Sequence, residues 1–275
     1  MNQIRFDDRV VLVTGAGRGL GAAYAREFAA RGASVVVHDA GVEADGSGGD
    51  PGIADAVVTE IVGAGGTAVA CYENLASEEG CRRTVELAVD RFGRLDVAVQ
   101  NAGLLVWEEL EDANRSWDLM RSVNVDAPFH VTRAAFPVMK RQRYGRFVFT
   151  TSGRAMSVDR TRPGLAAYAV GKMAHFALTI VAAREGEPHG IVANAIAPAA
   201  ATRMLRRVVE PGELAPEQVA PGVLFLASER CTVTGCVLEA AGGEFDVARW
   251  TSTKEVDLGR EPVEPEAIEG VFEAA

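Results

Sequence analysis

The chain has 275 residues, 48% of them hydrophobic, which is enough to bury one large core. Its formal net charge of −10 argues against nucleic acid as the main partner, because phosphate binding requires a basic surface. Four cysteines without a paired or metal-binding spacing favour a reducing compartment, and the histidines show no metal-like spacing either. The N-terminus does not resemble a secretory signal, and no stretch reaches the roughly 18 apolar residues of a membrane span. We therefore expect a soluble, cytoplasmic protein with no membrane partner and no metal.

Short apolar runs alternate with longer segments of helical periodicity. The predicted strands are residues 10–14, 34–38, 68–71, 97–100, 146–151, 191–196 and 237–240. The predicted helices are residues 20–31, 53–64, 77–92, 117–141 and 167–185. Strict alternation predicts an α/β fold, a single doubly wound (Rossmann) parallel sheet of about seven strands with helices on both faces. We expect one domain over residues 1–250, which includes the substrate pocket, and an acidic C-terminal extension over residues 251–275.

Two connections differ from ordinary loops. The Gly/Asp-rich segment 40–52 predicts an enlarged loop after the second strand, and the segment 198–217, interrupted by Pro and Gly, could form a flap over a ligand. That flap carries Arg203, Arg206 and Arg207. The three arginines could bind the phosphates of a carrier, or they could form a solvated basic helix face.

The sequence TGAGRGLG lies between the first predicted strand and the first predicted helix. Gly15 permits a tight turn, Gly19 lets the backbone approach a pyrophosphate, and Gly21 allows close packing of helix and strand. The helix N-terminus then offers N–H groups to the phosphates. Asp39 closes the second predicted strand, where a carboxylate can bind the adenosine ribose and repel a 2′-phosphate. This favours NAD over NADP, although Arg18 in the same loop could serve a phosphate.

Four further side chains are candidates for acid–base chemistry. Tyr168 and Lys172 share one face of a predicted helix, and a nearby ammonium is expected to lower the pKa of the phenol towards the working range of a general acid or base. Ser152 follows the fifth predicted strand, at the edge where ligands bind, and could hydrogen-bond a substrate oxygen. Asn124 interrupts an apolar helix face, where it could bend the helix or bind water through its main-chain carbonyl.

Taken in order, the motifs TGAGRGLG, QNAG and YAVGK, with Asp39, Asn124 and Ser152, resemble the short-chain dehydrogenase/reductase family over roughly residues 7–245. The long Gly-rich loop and the phrases NAIAPAAATRM and LEAAGGEFDVARW are similar to the (3R)-hydroxyacyl-CoA dehydrogenase unit of multifunctional β-oxidation enzymes. The resemblance implies an NAD-dependent oxidoreductase that interconverts a secondary alcohol and a ketone. Its candidate substrates are a (3R)-3-hydroxyacyl thioester or, alternatively, a steroid, terpenoid or other small apolar alcohol. An inactive NAD(H)-binding protein is the alternative of another class.

The resemblance also implies a role for each matching residue. Tyr168 would be the acid/base, and Lys172 would lower its pKa and bind the nicotinamide ribose. Ser152 would orient the substrate oxygen, and Asn124 would sustain a water relay. The other cofactor-binding residues that it implies are Gly15, Arg18, Gly19, Leu20, Gly21, Asp39, Asn74, Leu75, Asn101, Ala102, Gly103, Pro198 and Thr202. Because family members pair the helices that match residues 117–141 and 167–185, we expect a homotetramer or a homodimer.

Three features depart from the family's pattern. Where the family usually has two consecutive Asn residues, this chain has Gln100–Asn101. Where the family usually has Pro-Gly after the sixth strand, it has Pro198–Ala199, and the replacement of Gly by Ala is expected to stiffen that turn. The spacing from Ser152 to Tyr168 exceeds the family's usual one, so the loop 154–167 carries extra residues. Because that loop shapes the substrate pocket, the resemblance is a weaker guide to the substrate than to the cofactor and the type of reaction.

Overall fold

The structure is a computed structural model that describes residues 3–43, 46–202, 204, 210, 212–251, 256–259 and 262–273. The strands are β1 Val10–Thr14, β2 Ser34–His38, β3 Thr67–Cys71, β4 Val97–Gln100, β5 Gly145–Thr150, β6 Ile191–Ala199, β7 Val237–Ala241 and β8 Glu244–Ala248. In the described part of the chain these eight strands form one sheet in the order β3-β2-β1-β4-β5-β6-β7-β8. All neighbours are parallel except β7 and β8, so the predicted fold class is confirmed.

Helices cover both faces of the sheet. They are α1 Gly19–Ala30, α2 Gly52–Gly63, α3 Glu78–Phe92, α4 Asn114–Arg121, α5 Ala127–Gln142, α6 Gly153–Met156, α7 Ala166–Gly186, α8 Ala220–Ala227 and α9 Glu269–Glu273. One apolar cluster joins α1, α2 and α8 to one face of the sheet, and a second joins α3, α5 and α7 to the other. The strands β1 and β2 are buried almost throughout because both of their faces are covered, as their continuous apolar sequences predict.

The sequence analysis misses two elements at the end of the domain. Strand β8 pairs antiparallel with β7 through a hairpin in which Gly242 and Gly243 have φ of 57° and 86°. Positive φ at both central residues is what a tight hairpin turn requires, and Gly-Gly between alternating apolar residues was the available signal. Helix α8 is short and apolar on nearly all sides because it is buried, so it lacks the periodicity that reveals a surface helix.

Strand β6 continues through Pro198 and Ala199, where a stiff turn was expected, so that expectation is wrong. The Ala195 N–H donates to the carbonyl of Cys236, which immediately precedes β7 (2.9 Å), and alternation along the strand turns the nitrogen of Pro198 to the opposite side. On that side the pairing with β5 has already ended, at Thr150 opposite Ile196. A proline there costs no ladder hydrogen bond.

By length and composition, and within the described residues, one helix is long and apolar enough to cross a membrane, at Ala166–His189. The sequence analysis does not find this stretch, because Tyr168, Lys172 and His175 interrupt its apolar run. In the structure α7 packs along β5 and β6, and Lys172 and His175 lie on its buried side. The apolar side chains on the inner side of α7 therefore pack against the sheet.

Candidate active site

A cleft of about 1370 Å³ opens at the carboxyl edge of the parallel strands. It includes the ends of β1 and β4, between which the strand order reverses, and this is where open α/β sheets bind their ligands. The predicted site residues that line it are Gly15, Arg18, Gly19, Leu20, Asp39, Asn74, Leu75, Asn101, Ala102, Gly103, Ser152, Tyr168, Lys172, Pro198 and Thr202. Gly21 and Asn124 do not line the cleft. The structure places both of them directly behind it.

The glycine turn after β1 is fixed by the first residues after β4. The Asn101 side-chain amide donates to the carbonyls of Thr14 and Gly15, each at 3.0 Å. In return, the Thr14 hydroxyl accepts the N–H groups of Asn101 and Ala102, each at 3.1 Å. The two strand ends that flank the switch point are therefore one hydrogen-bonded unit, and the role of Thr14 in it was not foreseen.

The glycines of the turn have two different functions. Gly15 and Gly19 have φ of 64° and 52°, which only glycine adopts without strain, and both border the cleft. A Cβ at Gly21 would lie 2.1 Å from the carbonyl oxygen of Gly15, so Gly21 is required for packing beneath the turn. The close packing expected of Gly21 is therefore present, and the cofactor contact that the resemblance implies for it stays a prediction.

Asp39 connects the glycine turn to the enlarged loop after β2. Its Oδ2 accepts the Gly17 N–H and its Oδ1 accepts the Gly41 N–H, both at 2.9 Å. The carboxylate is thereby held at the wall of the cleft, which Arg18 also lines. Each oxygen keeps a further lone pair for a ligand hydroxyl.

His38, one of the histidines without a metal-like spacing, supports the same turn from below. Its Nε2 lies 2.8 Å from the Glu73 carbonyl, so this nitrogen must donate, and Nδ1 is left as the acceptor facing the Gly15 N–H at 3.5 Å. Burial lowers the pKa of His38, which keeps the ring neutral.

One hydrogen-bonding atom of Asn74 is already engaged within the protein. Its Oδ1 accepts the Ala76 N–H at 2.9 Å, just before α3 begins.

Lys172 is a buried ammonium that is held at both its main chain and its side chain. Its Nζ donates to the Thr150 carbonyl at 2.9 Å, and its own carbonyl accepts the Thr151 hydroxyl at 2.8 Å. Burial lowers the pKa of Lys172 to about 8. The Nζ lies 5.8 Å from the centre of the Tyr168 ring, on the same helix face as predicted. The Thr150 carbonyl at the end of β5 therefore fixes the position of the ammonium, and the Thr151 hydroxyl fixes the main chain of the same residue.

The pKa of Tyr168 moves opposite to the sequence-based expectation. Burial raises it above the ordinary value, and hydrogen bonding to Ser152 and the positive charge of Arg154 only partly oppose that rise. The expected lowering by Lys172 is absent, and the Lys172 ammonium donates to the Thr150 carbonyl. At neutral pH the phenol is therefore protonated and is ready to donate a hydrogen bond.

Asn124 lies in a π-helical segment, Ser122–Asp126, which separates α4 from α5 where one long helix was predicted. Both polar atoms of its side chain are hydrogen-bonded: Oδ1 accepts the Leu104 N–H and Nδ2 donates to the Leu104 carbonyl, both at 2.9 Å. A Cβ at Gly103 would lie 3.2 Å from both Asn124 Oδ1 and Lys172 Nζ, so the three residues meet at one point. The bend expected at Asn124 stays a prediction, and a π segment of this kind is frequent at functional sites.

The substrate side of the cleft is lined by the lengthened loop between Ser152 and Tyr168. Arg154, Asp159, Arg160 and Arg162 of this loop face the cleft opposite Glu239, Glu244 and Asp246 of β7 and β8. Sequence reasoning assigned no function to these charges. The three arginines that it singled out instead, Arg203, Arg206 and Arg207, lie outside the residues that the structure describes.

The chain matches the family model for short chain dehydrogenases over residues 9–212. The chain belongs to this family. It is 40% identical over 276 residues to the peroxisomal multifunctional enzyme type 2 of Mus musculus, covering 98% of this chain and 37% of that protein. The crystal structure of a short chain dehydrogenase from Mycobacterium avium is 37% identical, with a TM-score of 0.83 over 98% of this chain and 94% of that one.

A third relative was solved with ligands bound. It is a 7α-hydroxysteroid dehydrogenase complexed with NADH and 7-oxo glycochenodeoxycholic acid, 30% identical, with a TM-score of 0.77 over 87% of this chain and 95% of that one. Family membership makes this protein an oxidoreductase that interconverts alcohols and carbonyl compounds with a nicotinamide cofactor. The chain spans only about a third of the length of the mouse relative.

The buried ammonium predicts a trade-off between stability and turnover. Lys172→Met should cut turnover at least about a hundredfold, the contribution of a positioned acid–base system. At pH 7 it should raise the melting temperature by a few degrees, because the folded wild type holds a charge that burial disfavours. Between pH 8 and 10.5 only the unfolded wild type keeps this proton, so the wild type gains stability with rising pH and the difference should shrink.

Differential scanning fluorimetry from pH 7 to pH 10.5 measures both effects on stability. Lys140→Met, the same change at an exposed position of α5, is the matched control and should alter neither the melting temperature nor turnover appreciably. A fall of several degrees in Lys172→Met would show that the hydrogen bond to Thr150 outweighs the cost of burying the charge.

Proposed function

We propose that this chain is an NAD-dependent dehydrogenase that interconverts (3R)-3-hydroxyacyl thioesters and their 3-oxo forms, with Tyr168 as the acid/base. The observation that carries the proposal is the grouping of Ser152, Tyr168 and Lys172 in one cleft with the glycine turn. The substrate class is supported by the likeness of NAIAPAAATRM and LEAAGGEFDVARW to hydroxyacyl-CoA dehydrogenase units. It is also supported by the identity with a multifunctional peroxisomal enzyme over nearly the whole chain.

The residues of the cleft fit a dinucleotide. A Cβ at Gly19 would lie 3.2 Å from the Thr202 side chain, so Thr202 faces the N-terminus of α1, where a pyrophosphate would be held. Asp39 would bind the adenosine ribose, and Lys172 the nicotinamide ribose. When bound, the cofactor takes a hydride from the alcohol carbon or returns one to the ketone carbon.

The side chains then divide the remaining tasks of the reaction. The substrate oxygen would lie between Ser152 and Tyr168, where the two hydroxyls orient it towards the phenol. In ketone reduction Tyr168 donates its proton to the forming alkoxide, which the raised pKa of the buried phenol allows at neutral pH. In alcohol oxidation it accepts the hydroxyl proton, and the Ser152 hydrogen bond and the nearby charge of Arg154 favour the phenolate that must form first.

The proton must also reach solvent from a buried site. Both polar atoms of the Asn124 side chain are hydrogen-bonded to Leu104 in the loop after β4, so Asn124 would act through its main-chain carbonyl, by holding water next to Lys172. Gly103, which lies close to both residues, keeps that passage free of a side chain.

Removal of the phenol tests the acid–base assignment. Tyr168→Phe should reduce kcat at least about a hundredfold, since positioned proton transfer contributes roughly 10²–10⁴. The dissociation constant for NADH, measured by fluorescence, should change little. Tyr144→Phe is the matched control, because Tyr144 immediately precedes β5, at the opposite edge of the sheet from the cleft. Near-wild-type turnover in Tyr168→Phe would end this mechanism.

Cofactor choice tests Asp39. We expect kcat/KM to be higher with NAD than with NADP, because the carboxylate accepts ribose hydroxyls and repels a 2′-phosphate. Asp39→Asn should narrow this ratio, mainly through a lower KM for NADP, whereas Asp90→Asn on the exposed face of α3 should leave it unchanged. A wild-type preference for NADP would indicate that Arg18 outweighs Asp39.

The assembly is proposed to be a homotetramer or a homodimer built on α5 and α7. Apolar side chains on their outer faces are about half exposed, among them Phe129 at 49% and Val181 at 53%. Light scattering should give two or four times the chain mass of 29.1 kDa at micromolar concentration. Val181→Glu should lower that mass, and Val62→Glu on α2, which is equally exposed at 53%, should not. A wild-type monomer would refute the proposal.

A reducing compartment such as the cytoplasm is also proposed. All four cysteines, Cys71, Cys81, Cys231 and Cys236, are free and buried. Burial raises the pKa of the Cys81 thiol to about 12, which leaves it protonated and unreactive. These cysteines behave as small core residues and support a cellular location that keeps thiols reduced.

A further inference from the structure

The lengthened loop between Ser152 and Tyr168 is anchored on both sides of the substrate end of the cleft. On one side the Glu108 N–H donates to the Gly164 carbonyl at 3.1 Å, and the Arg154 guanidinium lies 5.9 Å from the centre of the Trp107 ring. On the other side Arg160 donates to the Glu239 carboxylate of β7. The extra residues are therefore a defined wall of the pocket, and Arg160 is the part of it that reaches furthest across to β7.

Arg160 lies directly over the residue that follows Ser152. A Cβ at Gly153 would lie 2.9 Å from Arg160 Nη1 and 3.4 Å from its Cδ, so the side chain crosses the face of Gly153. Gly153 directly follows Ser152, so the guanidinium lies beside the chain neighbour of the residue whose hydroxyl should orient the substrate oxygen. A side chain at position 153 would displace Arg160 from this position.

Glu239 orients the Arg160 guanidinium and leaves some of its N–H donors available. The Glu239 side chain is 16% exposed and that of Arg160 is 55% exposed, so the carboxylate is partly withdrawn from solvent while the guanidinium stays accessible, and Asp246 adds a second negative charge nearby. Both acids raise the pKa of Arg160 and keep it cationic. A guanidinium carries five N–H donors in a planar fork, and the hydrogen bond to Glu239 engages one nitrogen. The fork can therefore also donate to a ligand in the cleft.

A donor in this place selects for a second oxygen on the substrate. In a 3-hydroxyacyl thioester the carbonyl oxygen is carried two carbons from the reacting carbon, on the same short segment of chain. A simple apolar alcohol has no acceptor there, and its binding would desolvate the guanidinium without compensation. Sites built to hydrogen-bond a substrate group reject analogues that lack the group far more strongly than apolar pockets reject size differences.

We propose that Arg160, oriented by Glu239, is a specificity-determining residue that donates to an acceptor oxygen two carbons from the reacting carbon. This inference rests on the proposed function and narrows it to β-oxygenated acyl substrates. Because the recognised oxygen belongs to the acyl group, a coenzyme A carrier is not required for the effect.

The test compares two alcohols that differ in that oxygen. The substrates are (3R)-3-hydroxyoctanoyl-N-acetylcysteamine and 2-octanol, neither of which carries a phosphate, and the measured quantity is the ratio of their kcat/KM values with NAD. Arg160→Met should lower this ratio at least about tenfold, as expected for one hydrogen bond from a charged group. Arg82→Met is the matched control, because Arg82 on α3 is about half exposed like Arg160 and is ion-paired with Glu79 and Glu86, but it lies outside the cleft.

Two further variants keep the test independent of loop damage. Glu239→Gln retains the shape of the partner but removes its charge, and should lower the ratio in the same direction by a smaller factor. Arg160→Lys keeps the charge but loses the fork, and should recover only part of the ratio. NADH binding, measured by fluorescence, should be the same in every variant.

The outcomes separate the two levels of the proposal. A wild-type ratio near one, an undiminished ratio in Arg160→Met, or an equal loss in Arg82→Met would overturn the role of Arg160 while leaving an NAD-dependent alcohol oxidoreductase in place. Failure of the wild type to oxidise any hydroxyacyl thioester or secondary alcohol would overturn the proposed function, and the role of Arg160 with it.

Discussion

The buried ammonium of Lys172 is the interaction on which the arrangement of the site depends. It donates to the carbonyl at the end of β5, while the main chain of the same residue accepts the Thr151 hydroxyl, so α7 and β5 cannot shift relative to each other. The preceding residue, Gly171, brings α7 so close to the π-helical segment that a Cβ there would lie 2.4 Å from the Cβ of Asn124. Lys172 thus holds α7, which carries Tyr168, against the end of β5. Gly171 allows the same helix to pack closely against Asn124, which is bonded to the loop after β4.

This arrangement has an electrostatic cost that the sequence does not display. The chain is acidic overall, yet the basic side chains Arg154, Arg160 and Lys172 line the cleft around Tyr168. Burial raises the pKa of the phenol and lowers that of the lysine, so both groups are driven towards their neutral forms. The phenol is thereby held as a proton donor at neutral pH, whereas Lys172, with a pKa of about 8, lies close to the pH at which it loses its charge.

The sequence predicts the scaffold well because its signals are local. Strands at residues 10–14, 34–38 and 97–100 match β1, β2 and β4 in both bounds, since continuous apolar runs between turn residues need no tertiary information. Nearly all predicted cofactor residues line one cleft, because parallel strands bring their carboxyl ends to one edge. The predictions that are wrong depend on distant partners. The pKa of Tyr168 depends on burial, and the end of β6 depends on where β5 stops pairing.

The two ends of the cleft are stabilised by different kinds of contact, and this decides which of them can vary. At the dinucleotide end, Asn101, Thr14 and Gly21 act on backbone atoms, so a changed side chain breaks the turn itself. At the substrate end, the wall is held by side-chain pairs such as Arg160 with Glu239, which are partly exposed and contribute little to the fold. Substitutions there leave the sheet and the cofactor turn intact while they change which oxygen atoms the pocket can bind. The departure from the family's spacing falls in this wall, which is the part of the molecule that can accommodate it.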